Sequence, residues 1–110
     1  MFTPRYRNEQ TDRLVRALLA LESEEEAYRF LEDVLTIQEM KSITQRLEVA
    51  VMLRSKETYQ EIVRRTGAST TTIGRVNRAL QYGADGYNIV LDRVEEPPQA
   101  HTEVKTEVSR

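Results

Sequence analysis

The sequence predicts an all-α fold of six helices, and three observations support this prediction. Ser or Thr stands three residues before Glu at three places, which is the capping-box signal for a helix start. Apolar residues recur at a helical spacing of three and four residues in the segments that follow. Gly67 and Gly83 stand where two of the periodic segments stop. The length of 110 residues fits one small domain, which we expect to span residues 1–94.

The first two predicted helices are rich in acidic residues. A helix over about 8–21 places Leu14 and Leu18 on one apolar stripe. Ser23 then pairs with Glu26 in a capping box, and acidic residues in that first turn favour the positive end of the helix dipole. The acidic run is therefore interpreted as a helix start and not as a metal or catalytic cluster.

The third predicted helix is the longest and covers about 37–54. Thr36 and Glu39 form its capping box, and neither Gly nor Pro interrupts it. Its apolar stripe is expected to consist of Met40, Ile43, Leu47, Ala50 and Val51, with Leu53 near the end.

The next two predicted helices are short and are joined by a tight turn. Thr58 and Glu61 form the third capping box, Gly67 gives the turn its backbone freedom, and Ser69 caps the second helix. This arrangement, over about 58–82, is the pattern of a helix-turn-helix. The apolar residues expected to pack the two helices together are Ile62, Val63, Ile73, Val76 and Leu80.

A sixth helix is predicted over about 86–94, and the remainder of the chain is predicted to be a disordered tail. Residues 95–110 are polar and contain Pro97 and Pro98, which favour disorder. Asp85 and Asp92 lie seven residues apart near the sixth helix and are interpreted as part of a solvated helix face.

Composition argues against several classes of protein. The sequence contains no Cys, and its one His, His101, lies in the predicted tail, so cysteine or histidine catalysis and thiolate metal sites are not expected. No phosphate loop, metal-ligand spacing or paired carboxylate is visible, and we expect no enzymatic activity. No apolar run approaches the roughly 20 residues of a membrane span, and no signal pattern opens the chain. A cytoplasmic, nucleoid-associated protein without a membrane partner is expected.

The charges are unevenly distributed along the chain. Residues 1–53 contain 7 basic and 10 acidic residues, residues 54–83 contain 6 and 2, and residues 84–110 contain 3 and 6. The middle block, at +4, coincides with the predicted helix-turn-helix and indicates an anion-binding face, although an ordinary solvated face has the same composition.

The second helix of the helix-turn-helix has a polar face that is free to enter a major groove. Short hydroxyl side chains at its start allow close approach, and arginines further along can read guanine or bind phosphate. The residues on this face are Ser69, Thr70, Thr71, Gly74, Arg75 and Arg78. Residues beside the groove that are suited to phosphate contacts are Lys56, Gln60, Arg64 and Arg65. The alternative is a helical hairpin whose basic face is merely solvated.

Five segments of the sequence together form a recognisable pattern. They are Leu35-Thr36, Gln45-Arg46-Leu47, Thr58-Tyr59-Gln60-Glu61-Ile62, Thr66-Gly67-Ala68-Ser69-Thr70-Thr71-Thr72-Ile73-Gly74-Arg75-Val76 and Tyr82-Gly83-Ala84-Asp85-Gly86-Tyr87. This pattern resembles the Trp repressor superfamily, with most similarity to its bacterial YerC/YecD branch. The resemblance covers about residues 8–94, and its most specific part is the turn with the helix that follows.

The resemblance implies an intertwined homodimer with two projecting helix-turn-helix heads. Such a dimer would bind a palindromic operator in double-stranded DNA and regulate transcription, with repression the expected outcome. A helical protein-interaction adaptor that binds no specific DNA sequence is the alternative.

The resemblance also locates a candidate effector site. The repressor's ligand contacts match Thr36, Arg46 and Arg75 in this sequence. The glycine that follows the second arginine in the repressor is Val76 here, and a ligand-binding serine is Ala79. Tryptophan as corepressor is therefore not expected, and another small effector is left open.

A simpler role for the two arginines is also left open. Arg46 could form an ion pair with Glu48 or Asp33, and Arg75 could contact DNA.

Overall fold

Six helices follow one another along residues 1–94, the part of the chain that this computed structural model describes. Within that range there is no β-strand, so the expected all-α fold with six helices is confirmed. The predicted tail, 95–110, lies outside the described residues. The helices are α1 (Glu9–Leu19), α2 (Glu24–Val34), α3 (Ile37–Arg54), α4 (Tyr59–Thr66), α5 (Thr70–Tyr82) and α6 (Gly86–Val94).

α1 begins at a cap that is not of the Ser/Thr–Glu type, and it ends two residues earlier than predicted. The Asn8 side chain accepts a hydrogen bond from the Thr11 backbone N–H at 2.8 Å. In return, the Thr11 hydroxyl accepts one from the Asn8 N–H at 2.8 Å. Asn8 is therefore the N-cap residue, and α1 runs from Glu9 to Leu19 instead of extending to Leu21.

Of the three predicted capping boxes, the one that opens α3 forms completely. The Thr36 hydroxyl accepts from the Glu39 N–H at 3.1 Å, and the Glu39 carboxylate accepts from the Thr36 N–H at 2.9 Å. Both orphan N–H groups are satisfied, which accounts for the agreement between the predicted and observed start of this helix.

The other two boxes form only in part. Ser23 and Thr58 accept from the N–H groups of Glu26 and Glu61, as N-cap residues should. The second hydrogen bond of each predicted box, from the N-cap backbone N–H to the glutamate carboxylate, is absent because each carboxylate has another donor. Glu26 accepts from the Glu22 N–H at 2.8 Å, and Glu61 accepts from a guanidinium described below.

The chain divides into two compact units, and the first comprises Met1–Met40. It contains α1, α2 and the first residues of α3. No residue of α1 or α2 is buried. Leu14 and Leu18 are each 47% exposed, although they lie on the apolar stripe of α1.

The second unit begins at Lys41 and contains the buried core of the described residues. α4 packs against α5, and α5 packs against α6. The buried residues are Val49, Ala50, Met52, Ile62, Ala68, Ile73, Val76 and Leu91. They share one cluster, which fixes the relation between the end of α3 and the two short helices.

The predicted stripe of α3 is only partly correct. Ala50 is fully buried, but Ile43 and Leu47 are 42% and 39% exposed, and the other buried positions are Val49 and Met52. These two belong to the cluster formed with α4, α5 and α6, so the packing of those helices selects the buried face near the end of α3.

Within residues 1–94, no helix combines the length and the apolar character needed to cross a membrane.

Candidate nucleic-acid interface

The turn between α4 and α5 is the feature that sets the direction of α5. Gly67 ends α4 with φ of 75°, in the left-handed region that favours glycine, and its N–H donates to the Val63 carbonyl at 2.9 Å. Ala68 is buried, and Ser69 then caps α5 by accepting from the Thr72 N–H at 3.0 Å. The predicted helix-turn-helix is therefore present, with a turn of residues 67–69.

The Gln45 side chain of α3 holds this turn by a hydrogen bond to its backbone. The Gln45 amide donates to the Thr66 carbonyl at 3.2 Å, and the Thr66 hydroxyl donates to the Ile62 carbonyl at 2.8 Å. The same hydroxyl accepts from the Ala68 N–H at 3.1 Å. Gln45 is thus a supporting residue that our sequence analysis did not identify, because its partner lies 21 residues further along the chain.

α5 has two distinct faces. Ile73 and Val76 are buried at 0% and 2% exposure, and they pack into the cluster of the second unit. The opposite face is polar and contains no acidic residue. Its exposed residues include the predicted site residues Ser69, Thr70, Thr71, Arg75 and Arg78, together with Gln81 and Tyr82 near the end of the helix.

Two small residues on α5 differ in how free they are to contact a ligand. The Ser69 hydroxyl is engaged in the cap, since it also donates to the Thr72 hydroxyl at 3.2 Å. Gly74 is half-exposed, and a Cβ built on it would meet no atom within 4 Å. The surface above Gly74 is therefore open in this chain.

The cations of the basic block fall into two groups. Arg54, Arg64 and Arg65 each have a carboxylate within 4.0 Å: Arg54 has Asp92, Arg64 has Glu61, and Arg65 has Glu57 and Glu61. Lys56, Arg75 and Arg78 have no ion pair among residues 1–94. The uncompensated positive charge of the helix-turn-helix is therefore carried by α5 and by the turn before α4.

The pair between Arg64 and Glu61 is the closest of these contacts and lies on α4. The guanidinium donates through both Nε and Nη2 to the two oxygens of the carboxylate, with an Nε–Oε1 distance of 3.2 Å. This hydrogen bonding lowers the pKa of Glu61 and raises that of Arg64. Arg64 is exposed as predicted, but it is not a free cation.

The remaining predicted contacts, Lys56 and Gln60, are both exposed beside the start of α4. Lys56 has φ of 66°, which is unusual for a residue with a Cβ. Its N–H donates to the Leu53 carbonyl at 3.0 Å and that of Glu57 to Met52 at 3.1 Å, so the turn closes the end of α3.

The three candidate effector residues are not equally available. The Thr36 hydroxyl is engaged in the α3 capping box, and Thr36 belongs to the first unit. Arg46 and Arg75 belong to the second unit and are exposed, and neither has an ion pair among the described residues. The predicted alternative of an Arg46 pair with Glu48 or Asp33 is therefore not seen in that range. The effector site itself stays a prediction.

Asp85 and Asp92 are exposed, as expected for a solvated helix face, but both side chains also accept hydrogen bonds. Asp92 Oδ1 accepts from Arg54 Nη2 at 2.5 Å, and Asp85 accepts from the Asn88 amide at 3.1 Å. Arg54 and Asp92 are 38 residues apart, so no local pattern indicates this contact. No group of three His, Cys, Asp or Glu side chains that could hold a metal ion occurs in residues 1–94.

Comparison with known proteins identifies relatives over most of the chain. The pattern of the Trp repressor protein family matches residues 9–95. The uncharacterized protein YerC of Bacillus subtilis (strain 168) is 52% identical over 90 residues, which are 82% of this chain and 86% of YerC.

Two solved structures are similar in both sequence and fold. A TrpR-like protein from Eubacterium eligens ATCC 27750 has a TM-score of 0.74 and 52% identity, and the match covers 78% of this chain and 89% of that one. A candidate Trp repressor from Staphylococcus aureus has a TM-score of 0.75 and 47% identity, over 79% and 87%. The six helices, the glycine turn and these similarities lead to one conclusion: the chain belongs to the Trp repressor protein family, in its YerC-like branch.

Proposed function

We propose that this protein is a sequence-specific DNA-binding transcription regulator, and that it represses from a palindromic operator as a homodimer. The observation that carries the proposal is the polar face of α5. It presents two arginines without an acidic partner among residues 1–94, next to exposed threonines, on a helix whose opposite face is buried. Membership of the Trp repressor protein family supports the same assignment.

The residues of this face have different roles in the proposal. Arg75 and Arg78 read guanine edges or bind phosphate, while Thr70 and Thr71 contact base edges or thymine methyl groups. Lys56, Gln60 and Arg64 contact phosphates beside the groove and fix the register of the protein on the duplex. Gly74 lets the helix backbone approach the bases closely.

The exposed apolar residues of the first unit support assembly with a second copy of the chain. α1 and α2 bury no residue, and short isolated helices are marginal in water. The α1 stripe, by which we mean Leu14, Val15, Leu18 and Leu19, is exposed in one chain. A twofold dimer would also present two copies of α5 to the two half-sites of a palindromic operator.

We expect DNA binding that does not require tryptophan. Val76 is 2% exposed and packs into the core at the position where the repressor has a glycine. Arg75, which the resemblance assigns to the ligand, is then free to contact DNA. A different small effector is compatible with the exposed Arg46.

The test of the function is selection of bound duplexes from a random DNA pool, at moderate salt and without added ligand. A palindromic consensus with two half-sites is the expected result. If no sequence is enriched, repetition with added cell metabolites separates a missing effector from a protein-interaction adaptor, which would enrich no sequence under either condition.

Substitutions on α5 test the assigned face. Loss of one bidentate base contact costs about 1–3 kcal/mol, so Arg78→Ala should weaken operator binding by about fivefold or more. Thr71→Ala should weaken it less. Circular dichroism should show unchanged helicity for both variants. Arg93→Ala, an exposed arginine in the last turn of α6, is the matched control. Unaltered operator affinity in both α5 variants would overturn this assignment.

A further inference from the structure

The last residue of α3 is tied to α6 by two contacts. The Arg54 side chain is only 26% exposed, and its Nη2 donates to Asp92 Oδ1 at 2.5 Å. Its Nη1 donates to the Asn88 carbonyl at 3.4 Å. Leu91, between these two partners on α6, is 2% exposed in the core. The Arg54 guanidinium therefore binds α6 on the side next to Leu91, the buried residue of that helix.

α6 is in turn tied to the end of α5. The Asn88 amide Nδ2 donates to the Leu80 carbonyl at 3.3 Å and to Asp85 Oδ1 at 3.1 Å. Leu80 lies in the last four residues of α5, whose carbonyls have no N–H partner within the helix. Asn88 thus satisfies an orphan carbonyl at the end of the helix that carries Arg78.

We propose that Arg54 and Asp92 are positioning residues, which fix α5 for DNA binding by holding α6 in place. The inference rests on the proposed function. Neither residue needs to contact DNA, because both act through Asn88 on the end of α5. Arg54, Asp92 and Asn88 together link the end of α3 to the end of α5. We call these three residues the α6 clamp.

Two general effects act against the clamp at Asp92, and this makes its substitution informative. Removal of a carboxylate from a DNA-binding protein reduces repulsion from the phosphates. Asp92 also lies in the last turn of α6, where a negative charge is unfavourable for the helix dipole. The first effect predicts that Asp92→Ala improves DNA binding and the second that it does not weaken α6, whereas the α6 clamp predicts that binding weakens.

The experiment measures operator affinity by fluorescence anisotropy, with the duplex obtained by selection. We expect Asp92→Ala to bind about threefold more weakly than the wild type, in line with the loss of one partly exposed ion pair. Asp92→Glu keeps the carboxylate and should restore most of the affinity. Glu48→Ala is the matched control, because Glu48 is exposed and has no ion pair among residues 1–94. The control should bind as tightly as the wild type or more tightly.

Amide hydrogen exchange tests the α6 clamp without DNA. Asp92→Ala should accelerate exchange of the Tyr82 and Gly83 amides about threefold, while the amides of α4 keep their wild-type rates. Wild-type exchange at the end of α5, or operator affinity equal to that of Glu48→Ala, would overturn the α6 clamp. A wild-type protein that binds no duplex would instead overturn the proposed function, and with it the role of the clamp in DNA binding.

Discussion

At the scale of single residues, Gly74 is the position where folding and DNA binding place opposite demands on a side chain. A glycine inside a helix costs about 0.5–1 kcal/mol relative to alanine. A Cβ at Gly74 would meet no atom within 4 Å, so nothing in this chain requires the glycine there. We propose that close approach of DNA to α5 supplies this demand.

Gly74→Ala should raise the free energy of unfolding and lower the affinity for DNA at the same time. We expect a gain of about 0.5–1 kcal/mol in urea unfolding, because alanine restricts the unfolded chain. The added methyl group should weaken operator binding by holding the helix away from the bases. Arg93→Ala, in the last turn of α6, is the control and should leave operator affinity unchanged. If Gly74→Ala binds the operator as tightly as the wild type, Gly74 does not lie against DNA.

Gly83 shows a different requirement for glycine. Its φ is −90°, so no left-handed conformation is involved. A Cβ at this position would lie 2.6 Å from the Ala79 carbonyl oxygen, which is backbone and cannot move aside. The glycine therefore ends α5 because, in this backbone conformation, a side chain would collide with the last turn of the helix.

At the scale of elements, α4 differs from α5 in that its cations are compensated. The Glu61 carboxylate accepts from Nε and Nη2 of Arg64, and its Oε2 lies 3.6 Å from Arg65 Nε. Arg64 lowers the pKa of Glu61 by hydrogen bonding, so the carboxylate stays ionised at neutral pH and the pair is lost only as the pH falls through the lowered pKa. A phosphate must therefore compete with Glu61 for Arg64.

Glu61→Gln should strengthen DNA binding and make it more sensitive to salt. Because Glu61 competes with phosphate for Arg64 in the wild type, its removal should steepen the slope of log K against log[salt] by up to about one unit for each protomer. Titrations at several salt concentrations measure this slope. Glu48→Gln removes an equal charge from an exposed residue of α3 and should leave the slope unchanged. Equal slopes for the wild type and Glu61→Gln would contradict the competition between Glu61 and phosphate for Arg64.

At the scale of the whole molecule, the two units differ in how much apolar surface they bury. The buried residues of the described chain all lie in the second unit, beyond Lys41. In the first unit, the α1 stripe is exposed instead, and exposed apolar surfaces of this kind mark sites that bind a partner. The proposed partner is a second copy of the same chain, since the family resemblance implies a homodimer.

Substitution of the α1 stripe should separate the proposed dimer. We expect sedimentation velocity to give the wild type twice the 12.8 kDa of one chain, and Leu14→Gln with Leu18→Gln to give a single chain. Operator affinity should fall by about a hundredfold or more, because the two half-sites are no longer bound together. Arg13→Gln with Arg16→Gln introduces the same side chains into α1 and should remain dimeric. A dimeric leucine variant would place the interface elsewhere.

The sequence by itself determined where most of the helices begin, because those signals are local. An N-cap and its partner are three residues apart, and Gly67 produces a turn by its own backbone freedom. The family resemblance and the polar face of α5 were likewise readable from contiguous residues. The predicted starts of α3, α4 and α5 agree with the structure for this reason.

Only the tertiary structure decided which residues meet across long separations. Arg54 binds Asp92 over 38 residues, and Gln45 binds the Thr66 carbonyl over 21, because core packing brings α3 against the turn and α6. The same packing selected Val49 and Met52 in place of Ile43 and Leu47, since α3 can bury more than one of its faces. Helical periodicity identifies amphipathic segments, but the neighbours that cover each face are set by the fold as a whole.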